Sequence, residues 1–479
     1  MAALPLERID DQLWQIPAGA RPGMRVPARV FADQDLISAL KRDHSLEQLV
    51  NVATLPGITT AALAMPDVHQ GYGFPVGGVA ATKTPDGAIS PGGVGYDINC
   101  GVRLLALPLS ASELAARREP LLHEISRRVP VGSGAGGANR GLGGINLERV
   151  LTRGPRALLE DLGVGSEHEL HLTESGGQLE GADPLAVSAR ARERGLGQLG
   201  TLGSGNHFLE LQRVDAVFDG EAALAYGIAR DQVTLLIHSG SRGLGHQVCT
   251  DYVKRMDATL RKYKIELPDR QLSCAPLSSP EGRAYLGAMA AAANFAWANR
   301  AAIAHRAREA IAAVLGREAA LGTRQVYDVA HNVAKLEHHR GELVCVHRKG
   351  ATRAFPPGHA DIPSEYGDVG QPVFIPGSMG TASFVLAGRP GSLERAFGTT
   401  CHGAGRRMSR TAIRKQVDGG ALRKRLERQG IAVRASSARG LAEEAPEAYK
   451  DVEHVVGIVE RAGLAARVAR LHPIGVLKG

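Results

Sequence analysis

One compact α/β body, mixed β-sheets flanked by helices around a central cleft of strand-end loops, is the fold the sequence predicts. Three features predict it. Strand-like apolar runs at 101–105 and 233–238 adjoin glycine-rich polar loops, the first following one and the second leading into one, and strand ends are where open sheets present functional groups. Helical patterns at 110–129 and 281–315 alternate with those runs. A chain of 479 residues with 44% hydrophobic and 22% charged content can bury a substantial core. Residues 1–479 are therefore expected to form one domain, with an insertion at 145–198, where a helix, a polar loop and a second helix follow one another.

Composition narrows the class further. A net charge of +8 makes a polyanion, nucleic acid included, a reasonable partner. Arg outnumbers Lys 46 to 11, an excess that genomic base composition alone can produce, so the position of the charge matters more than its total. Between residues 406 and 428 stand nine basic residues and two acidic ones, Asp418 and Glu427. The cysteines, Cys100, Cys249, Cys274, Cys345 and Cys401, are odd in number and lack a C-x-x-C pair, as expected in a reducing compartment. The first residues, MAALPLERIDDQLW, carry acids where a secretory signal needs an apolar run. The most apolar stretch, 286–298, is too short to span a bilayer and continues into Asn299 and Arg300 as a buried helix would. A cytoplasmic protein with no membrane association is expected.

Taken in order, a helical pattern near 33–49 carries no chemistry. MPDVHQGYGFPVGGV at 65–79 follows, with Asp67 and His69 on one side of the chain if it is extended; a tight turn whose Asp and His satisfy local backbone is the competing reading. PGGVGYDINCGVRLL at 91–105 sets Asp97 and Cys100 three apart ahead of an apolar run, and carboxylate and thiolate at a strand end can share a divalent cation. The glycine-rich loop at 132–144 could cradle phosphate, although no G-x-x-x-x-G-K-[ST] pattern occurs. K-x-D-G is also missing, and residues 83–87 read as a hairpin turn.

The middle of the chain adds three histidines. LGTLGSGNHFLE at 199–210 places Asn206, His207 and Glu210 after a glycine turn. VTLLIHSGSRG at 233–243 is a buried-type strand ending at His238, and YDVAHN at 327–332 contains His331 and Asn332. Each histidine alone is more often structural. Together with Asp97 and Cys100, each beside glycine or at a strand end, they are better explained by one shared metal centre. Such mixed ligands suit zinc, iron or cobalt.

The last third turns toward phosphate. VHRKGATRAFPPG at 346–358 interleaves cations with turn residues, a pattern suited to RNA backbone or to a solvated loop. QPVFIPGSMGTAS at 371–383 runs from a strand into a loop of hydrogen-bond donors. In TTCHGAGRR at 399–407, small neighbours leave room around His402 for a bulky ligand, with Arg406 and Arg407 suited to phosphate oxygens. A glycine turn holding a structural histidine has a similar pattern. The tail PIGVLKG at 473–479 has enough apolar residues to dock.

These motifs, in this order over nearly the whole chain, resemble the RtcB family of RNA ligases. The resemblance implies an RtcB-like domain and joining of RNA 3'-phosphate or 2',3'-cyclic phosphate ends to 5'-hydroxyl ends, in tRNA splicing or RNA repair. It implies two manganese ions, one on Asp97, Cys100 and His207 and one on Cys100, His238 and His331, and a GMP-histidine intermediate formed from GTP at His402. It implies a guanylate site from Asn206, His207, Phe208, Leu209 and Glu210, with His331, Asn332, Pro376, Gly377, Ser378, Met379, Ser383, His402, Gly403, Ala404, Gly405, Tyr449 and Lys478. Arg242, Lys349, Arg353, Arg406 and Arg410 are the candidates for RNA phosphates. Some family members use a small activating protein, archease. Two other classes fit parts of the pattern: a metal-dependent phosphohydrolase or nuclease would use the centre without His402, and a non-catalytic RNA binder would leave the centre unexplained.

Overall fold

The apolar C-terminal run docks in the middle of the larger of two main sheets, as the 14-residue strand Ala465–Lys478. It pairs antiparallel with Phe208–Val217 and Ser383–Gly388, and Ala432–Ala435 joins it in parallel. The computed structural model describes residues 4–132 and 144–479. The expected phosphate cradle at 132–144 therefore falls almost wholly outside the described residues.

The eight-stranded sheet runs in the order Arg324–Ala330, Gly101–Ser110, Gln232–Ser239, Phe208–Val217, Ala465–Lys478, Ser383–Gly388, Pro372–Ile375 along its main path. The seven-stranded sheet begins with Glu7–Asp10 at one edge and passes through Leu13–Ile16, Ala28–Phe31, Ile58–His69, Val76–Lys83 and Glu342–Lys349 to Asn332–His339. Most neighbours are antiparallel, and the sheets are mixed and flanked by helices, the class expected. Leu63, Val79 and Val346 of the smaller sheet share a core with Ile375, Phe384 and Leu386 of the larger. The chain crosses from one sheet to the other at a single residue, His331, between Arg324–Ala330 and Asn332–His339.

Alternation within the larger sheet decides what lies on each face. Leu105, Leu211 and Leu235 pack on Ile303 and Ala307 of the 36-residue helix Pro280–Leu315. Val102, Leu104 and Leu236 belong to the core on the other side. Alanine dominates the buried helix because small side chains allow close approach on every side. Its polar residues have specific work. Asn299 Oδ1 accepts from the backbone N–H groups of Gly200 and Thr201 at 2.7 and 3.1 Å. Arg300 donates to the carbonyls of Asn99 and Ser239 at 2.8 and 2.9 Å. Residues 145–198 form Leu147–Arg153, Pro155–Leu162, Glu167–His171 and Ala189–Leu196, and Val150, Leu151 and Leu158 share a core with Ala292 and Trp297 of the long helix. This segment is fused to the body.

Asp328 anchors Arg300. Its carboxylate accepts from Arg103 Nε at 2.8 Å and pairs with Arg300 Nη2 at 2.8 Å, all three side chains being almost fully buried. Removing one member of such a set leaves buried charge uncompensated, a loss of about 3–5 kcal/mol. Asp328→Ala is thus expected to lower unfolding stability by that order in denaturant titration; a loss under about 1 kcal/mol would contradict this role.

Candidate active site

Four neighbouring strands of the larger sheet end on one side, and each delivers a metal-type donor there. Cys100 immediately precedes Gly101, which pairs with Ala330 and with Ser239. His331 follows Ala330, and His238 pairs with both Val102 and Phe208, the residue after His207. The register alone therefore gathers Cys100, His207, His238 and His331, and the tight loop ahead of Cys100 adds Asp97. Arg300 and Asn299 brace the loops from behind through the contacts described above.

The donor atoms fall into two sets within 4.8 Å, Asp97–Cys100–His207 and Cys100–His238–His331. Cys100 Sγ lies 3.4 Å from His207 Nε2 and 3.3 Å from His238 Nε2, and His238 Nε2 lies 3.4 Å from His331 Nε2. Donors bound about 2.1–2.3 Å from one ion at tetrahedral angles stand roughly 3.4–3.6 Å apart, so these three spacings fit metal ligation, whereas Asp97 Oδ2 and His207 Nε2, 2.7 Å apart, hydrogen-bond directly. Burial, then the neighbouring histidines, holds His238 and His331 well below the ordinary imidazole range, keeping their lone pairs free. Burial and then Asp97 push the Cys100 thiol well above its ordinary value, so a thiolate here requires a cation. Burial opposes ionisation of Asp97, but the charge and hydrogen bond of His207 outweigh it and hold the carboxyl at about 2.

His402 stands over this cluster, its ring centroid 4.9 Å from that of His331. Thr399–Cys401 pairs with Ala351–Arg353, which brings the loop to the junction of the sheets. Fully buried Asp67, in Ile58–His69, accepts from His402 Nδ1 at 2.6 Å and from its backbone N–H at 2.9 Å. Burial works to raise the Asp67 carboxyl, but His402 outweighs it and holds the group below its ordinary value. Gly405, at φ +75°, would place a Cβ 2.1 Å from the Asp67 carbonyl oxygen, so this loop can approach Asp67 only with glycine. His69 hydrogen-bonds through Nδ1 to the Asp67 carbonyl.

Asp97, Cys100, His238, His331 and His402 line one cavity of about 370 Å³. Asn206, Phe208, Asn332, Pro376, Gly377, Gly403, Ala404, Gly405 and Tyr449 also line it. Glu210 lies two residues beyond Phe208 on the same strand and accepts from Gln212 at 2.9 Å. Gln212 also reaches Ser383 Oγ at 3.2 Å, which accepts from Gly377 N–H at 3.2 Å. Lys478 pairs across from Phe208, its ammonium over that ring and 3.0 Å from the His207 carbonyl. Glu210, Ser383 and Lys478 thus stand behind the wall that Phe208 and Gly377 form. Ser378 bonds to Thr381, and Leu209 and Met379 are buried in apolar clusters.

The expected RNA cations separate. Lys349, Arg406 and Arg410 line the cavity. Arg406 and Arg410 both donate to the buried carboxylate of Glu444, at 3.3 and 3.0 Å, and Tyr449 donates to it as well. Arg242 is turned to Thr201 and the Gly132 carbonyl. Arg353 is not brought to the cavity: it is 3% exposed, donates to Gln371 at 3.0 Å and lies over Phe355. Arg348, in the same basic stretch, is fully buried against Glu337 at 2.6 Å. Basic letters there mark a buried ionic network, because their acidic partners are distant in sequence. Nothing in the local sequence pairs Asp67 with His402 or marks Glu444 and Gln212; only the neighbouring glycines set Asp67 apart.

Residues 48–479 match the family model described as tRNA-splicing ligase RtcB. The chain is 52% identical over 479 residues to the tRNA-splicing ligase RtcB of Archaeoglobus fulgidus, covering 99% of each. It is 53% identical over 481 residues to that of Thermococcus kodakarensis, again covering 99% of each. With the RNA-splicing ligase RtcB of Mycobacterium tuberculosis it shares 52% identity over 438 residues, 90% of this chain and all of that relative.

Proposed function

The chain belongs to the RtcB family of RNA ligases, and from that premise we propose that it joins RNA 3'-phosphate or 2',3'-cyclic phosphate ends to 5'-hydroxyl ends, with GTP and manganese, through a GMP-histidine intermediate at His402. The observation that carries this reading is the pairing of His402 Nδ1 with Asp67 at 2.6 Å beside the donor cluster. A proton fixed on Nδ1 leaves the Nε2 lone pair as the nucleophile.

His402 Nε2 attacks the α-phosphorus of GTP, forming an N–P bond as the bond to pyrophosphate breaks. Asp67 supports the positive charge that develops on the ring and keeps the proton on Nδ1. A cyclic phosphate is first opened by water, whose oxygen bonds to phosphorus as the bond to the 2'-oxygen breaks and that oxygen takes up a proton, leaving a 3'-phosphate; an oxygen of that phosphate then attacks the GMP phosphorus, the bond to His402 Nε2 breaks, and the ring returns to neutrality. Attack by the 5'-hydroxyl on the RNA phosphorus expels GMP and closes the phosphodiester. Manganese held by Asp97, Cys100 and His207, and by Cys100, His238 and His331, would neutralise phosphate oxygens during these transfers. Arg406 and Arg410, which share the one Glu444 carboxylate, leave net positive charge at the cavity wall, Lys349 lines it with an ammonium that burial holds down at about 8, and the five unpaired, buried cysteines suit a cytoplasmic setting.

Substituting Asp67 by Asn removes the charge while nearly keeping the shape. The expected result is a fall in the rate of GMP transfer to the protein of roughly 10²–10⁴-fold, read from single-turnover labelling; a change under threefold would contradict the role. Burial also holds the Glu210 carboxyl up at about 8. Since the carboxylate can accept from two N–H groups of the guanine edge and the protonated carboxyl from only one, GTP affinity is expected to rise as pH passes through about 8, and Glu210→Gln to flatten that profile in calorimetric titration. The reading as a whole is tested by supplying RNA with 3'-phosphate and 5'-hydroxyl ends together with manganese and GTP. Joined product that requires GTP is expected. Cleavage without joining would instead identify a metal-dependent nuclease.

A further inference from the structure

Beside the cavity stands an aromatic cluster to which the reaction above gives no task. Tyr96, adjacent to Asp97, lines the cavity. Its ring centroid lies 5.4 Å from that of Tyr72, edge to face, and 4.8 Å from that of His246, tilted by 33°. Tyr72 and Tyr96 are half-buried, and His246 is exposed on Arg242–Thr259. Tyr72 borders a second hollow of about 600 Å³, and Gln70 lines both hollows. The cluster therefore sits on the rim between them.

The turn carrying Tyr72 is held from three directions. Gln48 donates to the Gly71 carbonyl at 2.7 Å and accepts from its N–H at 3.0 Å. Gln271 accepts from Gly73 N–H at 3.0 Å, and Lys349 donates to the carbonyls of Tyr72 and Phe74 at 2.5 and 3.1 Å. Gly73 itself, at φ +69°, would place a Cβ 2.4 Å from the Gln271 carbonyl oxygen. A solvent-reached tyrosine on a backbone this constrained is preorganised for contact, and rings at the mouth of a phosphate-handling cavity suit an unstacked base.

We propose that Tyr72, Tyr96 and His246 form a stacking platform for an unpaired nucleobase at the end of an RNA strand entering the cavity. This rests on the RNA-ligase reading and adds where the terminal nucleotide is held. Stacking is indifferent to base identity, so the platform grips an end without selecting its sequence, and Lys349 acts as a positioning residue by fixing the Tyr72 turn.

The test uses the full chain and single-stranded oligoribonucleotides carrying 2-aminopurine as the terminal base. One arm places it next to a 3'-phosphate, the other next to a 5'-hydroxyl. Quenching on binding is expected in the arm whose end the platform holds, and an abasic terminal nucleotide is expected to weaken binding roughly tenfold in that arm. Tyr72→Leu/His246→Ala should lose both the quench and the preference for a terminal base, while Tyr96→Phe, which keeps the ring, should retain both. Equal affinity for abasic and intact ends in both arms would overturn the platform, and that comparison needs only the unaltered protein. So would an unchanged quench in the folded double variant. Absence of GMP labelling at His402 with the terminal-base preference intact would remove the ligase mechanism and leave the platform standing.

Discussion

His402→Ala is expected to abolish covalent transfer of GMP to the protein and to reduce RNA joining by roughly 10⁴-fold or more, since removing a nucleophile eliminates the route and leaves only binding and electrostatics. The side chain makes one hydrogen bond, to Asp67, and the backbone N–H groups of His402 and Gly403 still donate to that carboxylate after truncation. Truncation also leaves that buried carboxylate without its imidazole, so some loss of stability is expected, and a cooperative unfolding transition retained at the assay temperature shows that loss of labelling reports chemistry and not unfolding. Labelling at more than a few per cent of the unaltered rate would mean that another residue accepts GMP.

The second large effect is expected at Cys100, because its sulfur is the one donor common to both sets. Cys100→Ala should remove metal from both positions together, lowering bound manganese well below one ion per chain by elemental analysis. GMP transfer should fall by roughly 10³-fold, the equivalent of several kcal/mol of lost phosphate neutralisation. His331→Ala, which touches one set, should leave about one ion bound. Retention of two ions in Cys100→Ala would contradict the shared-thiolate arrangement. Metal binding should also weaken as pH falls, because His238 and His331 must stay neutral and Cys100 must surrender its proton to bind.

The site was legible where its residues announce themselves locally. Asp97, Cys100, His207, His238 and His331 each stand near a glycine or at a strand end, and antiparallel register then gathers them, so motif and topology point to one place. The docked tail was legible for a similar reason: PIGVLKG is too apolar to stay in water. Asp67 could be seen as a candidate but not paired, since 335 residues separate it from His402 and no periodicity spans that distance. Glu444 gave no local sign at all, lying in a polar helical stretch whose Arg406 and Arg410 partners are brought to it only by folding. The run containing Arg348 and Arg353 resembled a phosphate-binding loop because guanidinium groups serve buried carboxylates and phosphates equally well. The charge alone does not say which. Residues 145–198 read as an insertion because the contacts that tie them to the body, such as Asn294 Oδ1 accepting from Leu179 N–H at 2.8 Å, join residues far apart in sequence.

The account stands most directly on the atom that carries GMP. Incubating the 479-residue chain with manganese and GTP labelled at the α-phosphate, then mapping the labelled peptide under alkaline conditions that preserve phosphoramidates, reads that atom without any RNA. One GMP per chain on the peptide containing His402, lost on mild acid treatment, is the predicted result. Label on a lysine, or none in protein shown to hold two manganese ions, would contradict it.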